Sequence, residues 1–224
     1  MQFVSKKWIA ALALAPMTLL SGCGVLGFIA ATAPPPSIEA SYAGLEETET
    51  LVMVWMDEAL EIDFPSATLD LSFALQTNLM QGAEADTPGL IGTTFPYTPP
   101  SVLKWQREHP ETQYQSVEAF APDLPVDRLV YVELTQLDTR APASIALFLG
   151  TATASVYVVE ITGTGADRTA TTVFQDNEIR VQWPEEAPDT GRPDLSDRQV
   201  YVNTLRLLSD ELAVRFVRRP GDAW

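Results

Sequence analysis

The 224-residue chain contains one cysteine, Cys23, and one histidine, His109. A single cysteine excludes an internal disulfide framework. A single histidine excludes a His-pair zinc site and leaves one imidazole for any Ser–His pairing. Cationic side chains are also scarce. Lys and Arg number 14 against 30 Asp and Glu, a formal charge of −16. Such a chain does not track nucleic-acid phosphates, and no basic patch with interleaved aromatics occurs in it. The G-x-S-x-G, H-E-x-x-H and P-loop patterns are missing. Gly163-Thr164-Gly165 lacks the strand–loop–helix setting of a dinucleotide site and reads as a turn. There is no internal repeat.

What the chain does have begins at its N-terminus. Lys6-Lys7 precede an apolar run from Trp8 to Ala15, and Leu20-Ser21-Gly22-Cys23 follows. The order of cationic region, apolar core and small residues is that of an export signal. Residues 20–23 resemble the lipobox of signal peptidase II substrates, in which small side chains admit the extended backbone and the Cys thiol carries diacylglycerol. The resemblance implies a signal peptide over residues 1–22, with acyl chains such as palmitate on Cys23. Residues 23–47 then form a tether, Pro-rich at Ala33-Pro34-Pro35-Pro36-Ser37, with Glu46-Glu47-Thr48-Glu49 as solvated lead-in. Several acyl chains anchor stably where one is marginal. Gly24 is not the Asp that retains many lipoproteins in the inner membrane, so the resemblance implies the outer membrane, facing the periplasm. Two other readings compete. A plain secretory signal would leave a lone thiol in an exported protein. An uncleaved span needs about 20 apolar residues, and Pro16 and Ser21-Gly22-Cys23-Gly24 interrupt one.

Residues 48–220 are long enough for one domain with a full core. Leu51-Val52-Met53-Val54-Trp55-Met56 is a continuous apolar run that predicts a strand buried on both faces. An acidic loop, Asp57 to Asp63, follows it. Pro65-Ser66 predicts a helix start with Ser66 as N-cap, a face of Leu69, Phe73, Gln76 and Met80 widened by Leu71, Leu75 and Leu79, and an end at Gly82. A short strand near Leu90–Phe95 is expected. A helix from Pro99-Pro100 to Pro110 and a turn at Val117–Phe120 come next. Arg128–Leu134 predicts a strand. Ala152, Ala154, Val156 and Val158 alternate with Thr153, Ser155, Tyr157 and Val159. A hairpin at Gly163–Asp167 returns through Thr169–Phe174 to Ile179, Val181 and Trp183, with Asp176-Asn177-Glu178 read as a turn. Ser196 and Gln199 form a capping box for a closing helix with the stripe Tyr201, Leu205, Leu208, Leu212 and Phe216. That stripe is expected on the strands near 51–56 and 129–134. Arg215, Arg218 and Arg219 complement its dipole. The fold class is therefore α/β (α+β): a mixed sheet with a long antiparallel portion, helices packed on it, and an amphipathic C-terminal helix.

The order Leu51–Met56, Arg128–Leu134, Gly150 leading into Ala154–Val159, and the C-terminal helix resembles bacterial envelope lipoproteins of the TolB N-terminal domain, CsgG and LpoB fold group. The resemblance implies a non-catalytic binding or assembly factor with an envelope protein as partner, held at the membrane through its lipid anchor. No secretion-channel activity is carried over, because no amphipathic pore hairpin is present. No catalytic, cofactor-binding or metal residue is assigned, and no cofactor is implied. Asp57, Glu58, Glu61 and Asp63 follow the C-terminal end of a strand, where crevices of open α/β sheets bind ligands. They lack the D-x-D-x-D-G calcium pattern and read as a solvated loop. Two alternatives stay open. A carboxylate-based envelope hydrolase needs two carboxyls converging in a cleft, and a small-ligand module needs a pocket with convergent polar groups.

Overall fold

The computed structural model describes residues 37–186 and 191–220. Cys23, the signal over 1–22 and the Pro-rich part of the tether lie outside the described residues. The folded unit spans Ile38–Arg219.

Its sheet has four strands in the order β1-β2-β3-β4: Thr50–Met56, Arg128–Arg140, Phe148–Thr162 and Thr169–Trp183. β1 and β2 run parallel, with Thr50 opposite Arg128 and Met56 opposite Leu134. The other two pairings are antiparallel. β1 is buried on both faces, as its unbroken apolar sequence requires. The helices are α1 (Glu58–Asp63), α2 (Ala67–Glu84), α3 (Pro99–Glu108), α4 (Val117–Phe120) and α5 (Asp197–Ala213), the last continued by a 3-10 turn to Phe216.

Period two divides the core between the faces. On one face Val52, Val54, Val130, Val132, Val156 and Val158 pack beneath α2 and α5. On the other, Leu51, Met53, Leu129, Tyr131, Val159 and Ile161 pack beneath Val102, Phe120, Leu124 and Val126 of the segment between α2 and β2. α2 lies over β1 and α5 over β3 and β4. The two long helices are tied by Asn78 Nδ2 to Asp210 Oδ1 at 2.8 Å and Tyr201 OH to Asp70 Oδ2 at 2.7 Å.

Several expectations are corrected. The acidic segment after β1 is helical, because the Asp57 carboxylate accepts the Leu60 N–H at 2.8 Å and caps the turn. Ser66 stands at the N-cap of α2 but makes no capping bond, and its hydroxyl pairs with Tyr201 OH at 3.0 Å. α2 turns Leu71, Leu75 and Leu79 fully inward, whereas Phe73 is 46 % and Met80 41 % exposed. It runs through Gly82 to Glu84. No strand forms at Leu90–Phe95. Gly89 and Gly92 take positive φ there, and only Thr94 bridges to Glu49. β4 is continuous, and Glu178 with φ 58 lies in its bulge rather than in a turn. In the lead-in Glu46, Glu47 and Glu49 are exposed, as expected, while Leu45 just before them is fully buried and Glu46 accepts the Gly89 N–H at 2.7 Å.

The closing helix has the capping box read from its sequence. Its seat is mainly on β3 and β4, with a smaller contact on β2, and the reason is size. β3 presents Gly150, Ala152 and Ala154 to the helix, and a Cβ at Gly150 would lie 1.8 Å from Thr204 Oγ1 and 2.8 Å from Val200 Cγ1. Among the described residues Thr204 Oγ1 is buried with no hydrogen-bond partner. Gly150→Ala is therefore expected to destabilise the protein by about 1–3 kcal/mol through overpacking. Adding Thr204→Ala should recover part of that loss, since it removes both the colliding hydroxyl and an unsatisfied group. Urea denaturation of the two single variants and the double variant checks this. Strict additivity would show that the two positions do not meet.

Candidate functional site

Two surfaces of the folded unit combine concavity with convergent polar groups. The first is a cleft of about 510 Å³ at the C-terminal end of β1. Its floor is Val54, Trp55 and Met56. One wall is α1, where Glu58 and Glu61 are three residues apart and so share a side of the helix. The opposite wall is α3 with Leu103, Gln106 and Arg107, extended by the 3-10 turn Pro110–Tyr114. The Gln106 amide donates to Val54 O at 3.0 Å and pins α3 to the open edge of β1. Pro99 and Pro100 start α3, and His109 ends it just before Pro110.

His109 is a helix-end residue, as its sequence position suggests. Its ring stacks on Trp105 with centroids 4.4 Å apart, and Nδ1 lies 2.9 Å from Trp105 O. Of the four acidic residues singled out after β1, the structure brings Glu58 and Glu61 to the cleft and uses Asp57 as a cap; Asp63 does not line the cleft. Among the described residues no three Asp, Glu, His or Cys side chains converge as metal donors. Gly163 and Gly165, with φ 90 and 58, form the β3–β4 turn.

Sequence reasoning missed Trp55, Gln106, Arg107 and Tyr114 as parts of a site. In the sequence Trp55 reads as part of the buried run. The available signal was a Trp at the last positions of a buried strand, directly followed by an acidic helix, at the end of the sheet where ligands bind.

The second surface is the half of the sheet face that α3, α4 and their connections leave uncovered. Tyr131 and Tyr157 are cross-strand partners at its border, and the Tyr157 hydroxyl donates to Glu133 Oε2 at 3.3 Å. Beyond them the face is polar. Gln136, Asp138, Thr151, Thr153, Arg180 and Gln182 line a basin of about 1130 Å³ that ends at the β2–β3 hairpin loop. Ile145 at the tip of that loop is 91 % exposed.

Burial raises the Tyr131 phenol above its ordinary value, and the nearby Glu133 and Tyr157 add to the shift. Tyr157 moves the same way, by burial first and then by Glu133. A raised folded-state pKa contributes stability that is complete below the unfolded tyrosine value of about 10 and is lost as pH rises beyond it. The urea midpoint should accordingly hold up to about pH 10 and fall as the pH is raised beyond it. It should fall less in Tyr131→Phe. Identical pH slopes for the two proteins would contradict the assignment.

No family model matches the chain, and no curated protein matches it. Among solved structures the chain is similar to the PelC dodecamer from Paraburkholderia phytofirmans, in a P6 crystal form and, as a point variant, in a C2 form. Each match has 9 % identity and a TM-score of 0.37, covering 82 % of this chain and 97 % of the other. A likeness at that level lends no weight to any reading of the site.

Proposed function

We propose that this chain is a membrane-anchored bacterial lipoprotein, a non-catalytic binding or assembly factor of the cell envelope that sits at the outer membrane facing the periplasm. The observation that carries the reading is Leu20-Ser21-Gly22-Cys23 behind Lys6-Lys7 and an apolar core. The proposal includes kinship with the TolB N-terminal domain, CsgG and LpoB group.

The layout of the folded unit supports it. Its first and last described segments are fastened together: Arg218 pairs with Glu39 at 2.7 Å, and Tyr42 N–H donates to Arg215 O at 2.9 Å. Both belong to the end where β1 and β2 begin. The uncovered polar basin and the β2–β3 hairpin belong to the other end, where β2 finishes at Arg140. That polar face is the surface proposed to meet an envelope protein. The cleft carboxylates do not favour a glycosidase. Glu58 and Glu61 stand on one wall, whereas a hydrolytic pair flanks the scissile bond.

Mass spectrometry of the membrane-bound protein should find diacylglyceryl on Cys23 and no residues 1–22. Cys23→Ser should lack the lipid and lose stable anchoring. Detergent-solubilised envelope should yield a co-purifying envelope protein with the wild type above the Cys23→Ser background. An intact Met1 N-terminus on the membrane-bound form would overturn the lipoprotein reading, and recovery of no partner above background would overturn the binding role.

A further inference from the structure

The cleft at the end of β1 holds charges of both signs that the folded unit leaves unused. Several cations elsewhere in this acidic chain are closely paired. Arg128 holds Glu160 at 2.6 Å, Arg192 holds Asp194 at 2.6 Å, Arg140 holds Asp197 at 3.3 Å, and Arg215 holds both Asp176 and Glu211. Arg107, like Arg198 and Arg206, has no such partner among the described residues. Among the described residues its guanidinium makes no ion pair or hydrogen bond, although carboxylates outnumber cations about two to one in the chain. Glu58 and Glu61 on the facing wall likewise have no side-chain partner among the described residues. Between them lie the last residues of β1. The accessible apolar surface there comes from Trp55 and, on the flank, Leu103, both half-buried, since Val54 is fully buried and Met56 nearly so. Tyr114, 85 % exposed, stands at the rim.

Unpaired opposite charges on facing walls, with apolar surface between them, define a complementary ligand: positive at one end, negative at the other, apolar between. The volume of about 510 Å³ falls within the range of small-molecule sites. We propose that this cleft binds a small amphoteric molecule, an amino acid or short peptide, with its ammonium group at Glu58 and Glu61, its carboxylate on Arg107, and its side chain over Trp55 and Leu103. The guanidinium fork suits a carboxylate, and charge-assisted hydrogen bonds at both ends supply the recognition. Gln106 is a positioning residue, since its bond to Val54 O sets where the α3 wall stands. The proposal concerns a different surface from the open sheet face and does not depend on lipidation.

The test uses the full-length, detergent-solubilised protein and the dipeptide leucyl-glycine as probe, with its N-acetyl and C-amide forms as controls. Binding is read by calorimetry. Saturable binding of the free dipeptide is expected, weakened about tenfold or more by either blocking group. Glu58→Gln/Glu61→Gln should abolish discrimination against the N-acetyl form while keeping discrimination against the amide. Arg107→Gln should do the reverse. These residues are exposed, so the variants should keep the wild-type denaturation midpoint. No saturation up to about 10 mM, equal binding of the blocked forms, or the same loss in both variants would overturn the proposal. Tight binding of the amide alone would also overturn it, by revealing a site for simple cations. None of these failures bears on the mass of Cys23 or on recovery of an envelope partner.

Discussion

The close approach of the closing helix to β3 is the constraint on which the rest of the structure depends. Reading along that strand, the residues beneath α5 grow from Gly150 through Ala152 and Ala154 to Val156 and Val158. The helix therefore starts almost in contact with the sheet, with Val200 and Thr204 against Gly150, and finishes farther from it. The widening space is filled by Leu208, Leu212 and Phe216, all fully buried, with Phe216 edge-on to Phe174 at 6.3 Å. This taper fixes the register of α5 on the sheet and the place of its C-terminal turn. Arg215 there reaches Asp176 at 3.1 Å, and the lead-in closes over the end through Tyr42. Burial of this size, at about 1.5–3 kcal/mol for each large apolar side chain, outweighs anything the exposed ion pairs contribute.

Sealing one face with α2 and α5 leaves the other to the 40-odd residues between α2 and β2. These cover only the apolar rows of that face, Leu51–Leu129–Val159 and Met53–Tyr131. Where the rows turn polar, at Glu133, Gln136 and Asp138, cover stops. Both candidate surfaces follow from that boundary. The cleft forms where α3 meets the end of β1, and the basin forms where α3 and α4 fall short of β3 and β4. The sheet edges are treated differently as well. Gln106 and Thr94 engage the outer edge of β1, with Thr50 N–H donating to Thr94 O at 2.8 Å, while β4 carries a bulge and charges at Asp176, Glu178 and Arg180. Bulges and charges are common devices against edge-to-edge pairing.

Much of this was legible in the residues themselves. The unbroken run Leu51–Met56 specified a strand covered on both sides, and the alternation from Ala152 to Val159 specified which side chains face the helices. Ser196 and Gln199 marked the start of α5. The misreadings share a cause, since local pattern does not reveal which neighbour a face meets. Two apolar stripes compete on α2, and only docking on β1 selected Leu71, Leu75 and Leu79 over Phe73 and Met80. The seat of α5 was decided by the missing side chain of Gly150, which carries no apolar signal. In the cleft, Glu58 and Glu61 stood out by charge. Arg107 and Gln106 come from a separate element some 45 residues later, and no spacing rule links them to β1.

The central claim is that a lipid-tethered domain meets an envelope protein with the uncovered half of its sheet face. The most direct measurement is photocrosslinking in living cells from a photoreactive residue at Gln136, on that face, compared with one at Thr77, exposed on α2. The account predicts a discrete crosslink to an envelope protein from position 136 and none from position 77. A crosslink from 77 alone, equal crosslinks from both, or none from either would contradict it.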